Sequence, residues 1–403
     1  MKKDFDLKDQ DIIRLGSHLE NKKIALLITG SIAAYKTPSL VRHFRQYGAE
    51  VQVYLTEEAE RYVAEDALEW TSTNPVIKNL TAKAEHLYEH DAYVVAPATL
   101  NTIGQIADGK ATNAVTTTLA SALGRLQKKN TSILVAPAMH GTMEDNPAYQ
   151  RNLERLKSFG VEIIKPEIRY GKANLSSPHN IVIETIRKLS KSPLKEKQFL
   201  ITAGPTPGKI DNIRVLTNRF RGTLGIMIAD EAYMRGANVT LILGSTGIQA
   251  PKYLNTILIK DFHDYHSKVQ DVLEHETVDV GIFSAAVADY VPSVVFDGKI
   301  PSRGDMKSIP LKHTTKIIEE VRKQFPKLLM VTFKYEEKVS WDELKAIAQK
   351  RARQGYQLVV ANRGEDLTPE GSYRGIIMSK DGEAAESHSK EECAVLLLNL
   401  LET

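Results

Sequence analysis

The chain has 403 residues, of which 42% are hydrophobic and 26% are charged, and its formal net charge is only +3. This length exceeds one typical hydrophobic core and predicts at least two globular domains. The basic residues form no cluster interleaved with aromatic residues, which argues against nucleic-acid binding. The single cysteine, Cys393, excludes an intramolecular disulfide and a cage of thiolate metal ligands. No apolar run reaches membrane-spanning length and the first residues lack a signal-peptide core, so a soluble, cytoplasmic protein is expected.

Residues 22–190 are predicted to form a first domain, which follows a polar, partly helical leader over residues 1–21. The run Ile24–Ile28 is apolar throughout, which predicts a strand buried on both faces of a parallel sheet. The next predicted elements are helix Tyr35–Tyr47 and strands within Gly48–Thr56, Ala92–Val95 and Ile133–Val135. Strands that alternate with helices indicate a doubly wound, Rossmann-like α/β fold.

The carboxyl ends of these strands form the first candidate site, because ligands of doubly wound sheets bind there. The turn Gly30–Ser31 joins a strand to a helix, and the free backbone N–H groups of such a turn favour a phosphate. A short glycine turn is also common at an ordinary strand–helix corner, so the turn alone does not indicate a site. The polar residues at the neighbouring strand ends favour one. The residues at those ends are Thr56, Ala98, Thr99, Asn101, Met139 and His140.

A second α/β domain is predicted over residues 199–403, after a charged linker over residues 191–198 that Pro193 interrupts. Strand Phe199–Ala203 and turn Gly204–Thr206 repeat the arrangement that opens the first domain. The remaining predicted elements are strands Val278–Phe283, Leu328–Thr332 and Leu358–Val360, and helices Thr315–Gln324, Trp341–Arg353 and Lys390–Leu401. The sequence therefore predicts two doubly wound domains in tandem.

Several long motifs carry a family resemblance. They are Gly30–Lys36, Ala96–Thr99 with Asn101, and Pro137–Met139 in the first half, and Ile201–Thr206, Ile210–Asp211 with Arg214, Thr217–Asn218, and Ala285–Tyr290 with Lys299 in the second. From about Lys22 to the C-terminus the chain resembles the bifunctional phosphopantothenoylcysteine decarboxylase/phosphopantothenate–cysteine ligase of coenzyme A biosynthesis. The resemblance implies an enzyme that ligates 4′-phosphopantothenate with cysteine through an acyl-cytidylate. The same enzyme would then decarboxylate the product to 4′-phosphopantetheine.

For the first half, the resemblance implies FMN as cofactor. The implied FMN-binding residues are Gly30, Ser31, Ile32, Thr56, Ala98, Thr99 and Asn101. Flavin in such a site oxidises the thiol side of the substrate, and the adjacent carboxylate then leaves as carbon dioxide. The candidate catalytic base is His86, with His90 as an open alternative because the spacing to Ala96 is shorter than in the family.

Two positions of the first half depart from the family. His140, a further catalytic candidate, replaces an asparagine that binds the substrate carboxylate, and an imidazole can carry charge near neutral pH. The flap stretch Tyr170–Ser177 lacks the cysteine that completes the reduction in the family. Two alternative functions are considered, and these departures motivate the first of them. One is an FMN-dependent oxidative decarboxylase of another cysteine-containing substrate, and the other is a non-catalytic flavin-binding regulator.

For the second half, the resemblance implies CTP, or ATP as in some members, and Mg²⁺ with unassigned ligands. The implied catalytic residues are Asn218, which steadies the acyl-nucleotide, and Lys299, which is needed to form the anhydride. The implied nucleotide-binding residues are Gly204, Thr206, Asp289, Lys299, Phe333 and Lys350. The family's Ser-Ser-Gly-Lys stretch is Phe220–Thr223 here, and its Pro-Asp nucleotide contact is Thr315–Lys316.

The resemblance also implies a homo-oligomer, with trimers of the flavin half and dimers of the ligase half. FMN would then lie near subunit contacts. The expected partners are 4′-phosphopantothenate, CTP and cysteine, and neither nucleic acid nor a membrane is expected.

Overall fold

The computed structural model describes residues 10–126, 128, 131–139, 141–169, 172–245, 247–301, 308–366 and 373–403, with the backbone alone at 169, 172 and 173. The chain divides into two compact units, one ending at Ser190 and the other beginning at Lys191. The predicted site residue His140 lies outside the described residues, as do Tyr170 and Gly171 of the predicted flap. Among the helices in the described ranges, none has both the length and the apolar character needed to cross a membrane.

The first unit is built on a parallel sheet. Its strands are β1 (Lys23–Ile28), β2 (Glu50–Leu55), β3 (Ala92–Ala98), β4 (Ser132–Pro137), β5 (Glu162–Ile163), β6 (Glu167–Arg169) and β7 (Lys172–Asn174). Its α-helices are α1 (Thr37–Gln46), α2 (Glu65–Ser72), α3 (Leu100–Ala107), α4 (Ala114–Leu126), α5 (Gly141–Glu144), α6 (Pro147–Ser158) and α7 (Pro178–Leu189). The sheet order is β2-β1-β3-β4-β5, with every neighbouring pair parallel, and β6 and β7 form a separate antiparallel pair.

Strand β1 lies in the middle of the core. Residues Ile24–Ile28 are 0% exposed, so the strand is buried on both faces as its apolar run predicts. Ala25 and Leu27 face a core that they share with α3, α4 and α6. Because side chains alternate along a strand, Ile24, Leu26 and Ile28 face the opposite side. Helices therefore cover both faces, and the predicted doubly wound fold is confirmed for this unit.

Two details of the first unit differ from the sequence predictions. The predicted helix Tyr35–Tyr47 is a 3₁₀ helix over Ile32–Lys36 followed by α1. Pro38 lies in the first turn of α1, where its missing N–H leaves no hydrogen bond unmade. Residues 10–21 are not helical, which corrects the prediction of a partly helical leader for the part that the structure describes. The N–H of Leu19 donates to the carbonyl of Tyr47 and the side chain is 0% exposed, so this segment packs onto the first unit.

The second unit holds a larger, mixed sheet. Its strands are β8 (Gln198–Ala203), β9 (Gly208–Lys209), β10 (Val215–Leu216), β11 (Asn238–Gly244), β12 (Asn255–Ile259), β13 (Val280–Phe283), β14 (Tyr290–Pro292), β15 (Leu311–His313), β16 (Leu329–Glu336), β17 (Leu358–Arg363), β18 (Gly375–Ser379) and β19 (Gly382–Ser387). Its α-helices are α8 (Thr223–Met234), α9 (Phe262–His275), α10 (Ile317–Gln324), α11 (Trp341–Ala352) and α12 (Lys390–Leu401). The sheet order is β12-β11-β8-β13-β16-β17-β18-β19.

Helices cover both faces of this sheet too. Residues of α8 and α12 belong to one core cluster, and residues of α9, α10 and α11 belong to the other. Within the sheet, the neighbouring strands β12, β11, β8, β13, β16 and β17 pair in parallel. Strand β18 pairs antiparallel with β17, and β19 pairs antiparallel with β18. The α/β prediction is confirmed, with an antiparallel edge that the sequence pattern did not show. Gln198, assigned to the linker from the sequence, is already the first residue of β8.

Candidate active sites

The ends of β1 and β3 are joined through one buried side chain. Thr29 Oγ1 donates to the carbonyl of Pro97 at 2.7 Å and accepts from the N–H of Thr99 at 3.2 Å. Thr99 in turn caps α3, because its Oγ1 accepts from the N–H of Thr102 at 3.3 Å. Two predicted site segments, Gly30–Ser31 and Ala98–Thr99, therefore lie side by side at the carboxyl edge of the sheet. Asn101, in the first turn of α3, is exposed.

The turn after β1 has the geometry of a helix start. Ser31 is the N-cap of the 3₁₀ helix, and its Oγ accepts from the N–H of Ala33 at 3.3 Å. Ile32, the first residue of that helix, is 68% exposed. A Cβ at Gly30 would lie 2.5 Å from the Cβ of Glu58, so the segment after β2 leaves room only for glycine. The N–H groups of Ser31 and Ala34 donate within the turn, to the carbonyls of Thr29 at 2.8 Å and Ser31 at 2.9 Å. An anion at this edge would therefore meet the N–H of Ile32.

Thr56 contributes a hydroxyl whose hydrogen bonding is incomplete. The residue is 5% exposed, and its N–H donates to the carbonyl of Ile28 at 3.1 Å. Its Oγ1 is buried and has no hydrogen-bond partner in the described ranges. Leaving a buried hydroxyl unpaired costs about 1–3 kcal/mol. The end of β2 therefore suits a ligand that supplies a polar group there.

The two histidines considered as catalytic base occupy different environments. His90 precedes β3 at the amino edge of the sheet, since the next residue, Asp91, donates its N–H to Lys23 at the start of β1. Its ring packs between Tyr54 and Tyr93, with centroid distances of 6.1 and 5.3 Å. Burial lowers the pKa of His90 to about 4, so the ring is neutral at pH 7. His90 is thus a packed residue on the edge away from Thr99.

His86 differs from His90 in the hydrogen bonding of its ring. Its Nδ1 is buried and has no hydrogen-bond partner among the described residues. Its carbonyl accepts a hydrogen bond at 3.2 Å from Nη2 of Arg125, which lies in the last turn of α4. In the part of the chain that the structure describes, no hydrogen bond or ring contact joins His86 to Ser31, Thr56 or Thr99. One chain by itself therefore leaves His86 apart from the strand-end cluster.

In the second unit, the N-terminus of α8 packs closely against the turn that follows β8. Gly222 is the N-cap of α8 and has φ +76°, a conformation that favours glycine. A Cβ at Gly222 would lie 2.4 Å from the nitrogen of Gly204, so only glycine fits at position 222. No side chain caps α8, which leaves its first N–H groups directed at the turn after β8. The arrangement suits a phosphate.

The loop after β13 is held by two of the predicted site residues. Thr206 is 1% exposed, and its Oγ1 accepts from the N–H of Ala288 at 2.9 Å. Asn218 Nδ2 donates to the carbonyl of Ala286 at 2.8 Å. The structure therefore brings Gly204, Thr206 and Asn218 together around the loop that carries Asp289. In this state the hydroxyl of Thr206 shapes the loop.

Asp289 and Lys299 are both exposed. Asp289 Oδ1 is 2.5 Å from Lys316 Nζ, and these side chains are 63% and 58% exposed. An ion pair this exposed stabilises the fold by little, about 0–1 kcal/mol. The pair joins Lys316, the N-cap of α10, to the loop after β13. Lys299 lies on the segment that follows β14.

Phe333 and Lys350 belong to different elements, β16 and α11. Phe333 is half-buried in β16, packs against the cluster that contains α8, and accepts a hydrogen bond at its carbonyl from Arg351 Nη1 at 3.0 Å. Lys350 is exposed in the last turn of α11, which leads into the amino end of β17. Gly204 follows the carboxyl end of β8, and β8 and β17 run in the same direction. In the described ranges, no hydrogen bond or ion pair joins Lys350 to Gly204, Thr206, Asn218 or Asp289.

Comparison with known proteins gives two consecutive family matches. The Flavoprotein model matches residues 12–190, and the model of the DNA/pantothenate metabolism flavoprotein C-terminal domain matches residues 194–403. The coenzyme A biosynthesis bifunctional protein CoaBC of Thermococcus kodakarensis is 39% identical over 353 residues, which cover 85% of this chain and 86% of that protein. The chain belongs to the CoaBC family. Proteins of the same name from Bacillus subtilis and Methanocaldococcus jannaschii are 33% and 31% identical, and each match covers 85% of this chain.

Membership of the CoaBC family confirms the predicted resemblance and the order of the two halves. It also confirms the prediction of a coenzyme A biosynthesis enzyme with decarboxylase and ligase domains, and it does not favour the two alternative functions. A solved structure, the DNA/pantothenate metabolism flavoprotein from Streptococcus pneumoniae, is 27% identical with a TM-score of 0.46, over 51% of this chain and 98% of that chain.

Two residues that organise the sites of this CoaBC member were not singled out from the sequence as site residues. Thr29 ends an apolar strand, and its position as a lone hydroxyl in a buried run is the signal that could have found it. Asp211 was noted only within a motif, yet its side chain is 0% exposed immediately before the exposed segment 212–221. In the described ranges no group of three or more His, Cys, Asp or Glu side chains could hold a metal ion.

Proposed function

We propose that the chain ligates 4′-phosphopantothenate with cysteine using CTP and then decarboxylates the product to 4′-phosphopantetheine. The observation that carries this proposal is the consecutive match of both families, residues 12–190 and 194–403, together with relatives that align over 85% of the chain. The candidate sites support it, because each sheet presents a glycine turn beside a helix start at its carboxyl edge.

We assign the ligase step to the second unit. The turn Gly204–Thr206 and the N-terminus of α8 would bind the nucleotide phosphates, which the short Gly222–Gly204 approach supports. Asn218 would donate to the acyl-nucleotide, since its amide is already held at the loop that follows β13. Lys299 would stabilise the negative charge that develops as pyrophosphate leaves. Phe333 and Asp289 would contact the nucleotide.

We assign FMN and the decarboxylation to the first unit. The turn Gly30–Ile32 would bind the phosphate, and Thr56 Oγ1 would pair with a ligand hydroxyl, which its buried, unpaired state supports. Ala98, Thr99 and Asn101 would line the rest of the cofactor. When bound, FMN supplies the two-electron oxidation that lets the substrate carboxylate leave as carbon dioxide.

His86 is our proposed base, because its buried Nδ1 has no hydrogen-bond partner among the described residues, whereas the ring of His90 packs against Tyr54 and Tyr93. The separation of His86 from Ser31, Thr56 and Thr99 within one chain supports a homo-oligomer, in which a neighbouring copy would complete the flavin site. Mg²⁺ would be held mainly by the nucleotide phosphates and water, as this ion commonly is.

The test is incubation of the chain with 4′-phosphopantothenate, CTP, Mg²⁺ and cysteine, followed by mass spectrometry of every product. We expect pyrophosphate, cytidine monophosphate and a final product that differs from phosphopantothenoylcysteine by the loss of carbon dioxide alone. Lys299→Ala should end pyrophosphate release, because the cation at the anhydride step is lost.

Lys323→Ala provides the matched control, since Lys323 is an exposed lysine in the last turn of α10. It should leave pyrophosphate release unchanged. A wild-type chain that consumes no CTP would contradict the ligase assignment. A product that has lost carbon dioxide and two hydrogens would contradict the proposed complete decarboxylation.

A further inference from the structure

Asp211 is a fully buried carboxylate within an exposed part of the second unit. Its side chain is 0% exposed, whereas residues 212–221 are all exposed. Burying an ionised carboxylate is costly unless hydrogen bonds and an opposite charge compensate it. The surroundings of Asp211 supply both.

Three backbone N–H groups and one guanidinium converge on this carboxylate. Oδ1 accepts from the N–H of Ile213 at 2.8 Å and of Arg214 at 2.6 Å. Oδ2 accepts from Arg214 Nη1 at 2.7 Å and from the N–H of Ile300 at 3.0 Å. Burial raises the pKa of Asp211, but these hydrogen bonds outweigh burial and lower the pKa to about 2. The carboxylate therefore stays ionised throughout the pH range in which enzymes of metabolism work.

The bond to Ile300 joins two segments that are distant in sequence. Three more bonds follow the same seam: the N–H of Asn212 donates to Gly298 at 3.0 Å, the N–H of Phe296 donates to Ile210 at 3.0 Å, and Arg214 Nη1 donates to the carbonyl of Ile300 at 3.3 Å. Lys299 lies between the two residues of its segment that are held, Gly298 and Ile300. Its backbone is thus anchored on both sides while its side chain is exposed.

We propose that Asp211 is a positioning residue for Lys299, holding the 298–300 segment so that the lysine ammonium faces the nucleotide phosphates. This inference rests on the proposed ligase function of the second unit. Asp211 touches no reacting group; it acts through the backbone of Ile300. Without this anchor the ammonium of Lys299 would have no fixed position, because a long exposed side chain on an unanchored loop samples many conformations.

Asp211→Asn tests the proposal with almost no change of shape. The amide oxygen can still accept from Ile213 and Arg214, but the amide nitrogen would meet the N–H of Ile300 and the guanidinium of Arg214, donor against donor. We expect kcat for pyrophosphate release to fall on the order of 10²-fold, the scale of a 1 Å misplacement. The KM for CTP should stay within about twofold, because the cradle at Gly204 and α8 does not involve Asp211.

Asp279→Asn is the matched control. Asp279 Oδ2 accepts from the N–H of Gln198 at 2.8 Å, at the amino end of β8 and so on the opposite edge of the sheet. It should leave kcat within about twofold of the wild type. An equal loss of kcat in both variants, or a normal kcat in Asp211→Asn, would overturn the proposal.

Hydrogen–deuterium exchange gives a readout that does not depend on activity. The amide of Ile300 should exchange slowly in the wild-type chain and markedly faster in Asp211→Asn. Should the variant fail to fold, the wild-type measurement still decides: exchange of Ile300 at the rate of an unstructured peptide would overturn the proposal. A wild-type chain without pyrophosphate release would instead defeat the proposed function, whatever the exchange shows.

Discussion

The carboxyl edges of the two sheets use their polar side chains differently. In the first unit, the buried Thr56 hydroxyl has no partner in the described ranges, so part of its hydrogen-bonding capacity is left for a ligand. In the second unit, Thr206, Asn218 and Asp211 all bind backbone groups of neighbouring loops. The first edge therefore keeps hydrogen-bonding capacity for a ligand, whereas the side chains of the second edge bind neighbouring loops to one another. Substitutions at the first edge should change ligand binding, and substitutions at the second should change loop geometry.

The largest expected effect is the loss of flavin in Ser31→Asp. Aspartate is as good an N-cap as serine, so the fold should be preserved. A carboxylate beside the phosphate costs several kcal/mol, the usual penalty of opposed like charges. The purified variant should show almost no visible flavin absorbance, whereas the wild type should be yellow.

Ser39→Asp is the control for that change, because Ser39 is an exposed residue in the first turn of α1. It adds the same charge eight positions further along and should keep the flavin. If Ser31→Asp retains a full complement of FMN, the phosphate does not lie at this turn. The proposed ligand site at the carboxyl edge of the first sheet would then be wrong.

A buried ion pair away from both edges should govern stability without governing binding. Arg235 Nε lies 2.7 Å from Glu231 Oε1 and its Nη1 lies 3.1 Å from Glu402 Oε1, and the Arg235 and Glu231 side chains are 10% and 6% exposed. Arg235→Ala leaves Glu231 buried without this partner, which should lower the free energy of unfolding by about 3–5 kcal/mol. Denaturant unfolding of the second unit measures the change.

The double variant Glu231→Met/Arg235→Met should recover most of that loss, since apolar side chains of similar volume often replace a buried pair without penalty. Arg353→Ala, at the exposed C-cap of α11, should change the free energy of unfolding by less than about 0.5 kcal/mol. Equal effects of Arg235→Ala and Arg353→Ala would show that the buried pair is not a stabilising contact.

The amino edge of the first sheet should be sensitive to pH. Burial lowers the pKa of His90 to about 4, below its ordinary value near 6.5, so the unfolded chain binds a proton in a range where the folded chain does not. Stability should therefore fall as the pH drops from about 6.5 to 4 and should show no further contribution from His90 below that. The total loss is on the order of 3 kcal/mol.

His90→Gln should remove this part of the pH dependence, measured by urea unfolding at a series of pH values. His275→Gln should leave it in place, because His275 is 72% exposed in the second unit. An unchanged profile in His90→Gln would mean that the ring is not buried as the structure has it.

Local sequence signals predicted the elements but not the contacts between them. Helix α12 was predicted at its observed bounds, and in the structure the side chain of Ser389 caps it by accepting from the N–H of Glu392. Strand β1 was predicted within one residue because a short, continuous apolar run is typical of a strand buried on both faces of a parallel sheet. The antiparallel pair β18 and β19 was missed, since strand direction depends on the partner that the chain meets.

The same limit applies to the candidate sites. Strand-end residues such as Ser31 and Thr99 were found because topology alone places them at one edge. The motif could not separate His86 from His90, because the choice depends on burial between Tyr54 and Tyr93. It also placed Lys350 among the nucleotide contacts, which stays a prediction. Asp211 acts through a bond to Ile300, 89 residues away in sequence, which no local pattern reveals.

The smallest expected effect tests the cradle most directly. Thr56→Val removes a hydroxyl that has no partner in the described chain, so the flavin-free protein should be as stable as the wild type or slightly more stable. FMN affinity should fall by about 1 kcal/mol, roughly fivefold, because the ligand loses one hydrogen bond. Thr332→Val makes the same change at another buried, unpaired hydroxyl in the core of the second unit, and it should leave FMN affinity unchanged. Titration of the flavin-free variants with FMN decides the point: equal affinities in both would mean that the Thr56 hydroxyl faces no ligand, and the two edges would then differ less than their hydrogen bonds indicate.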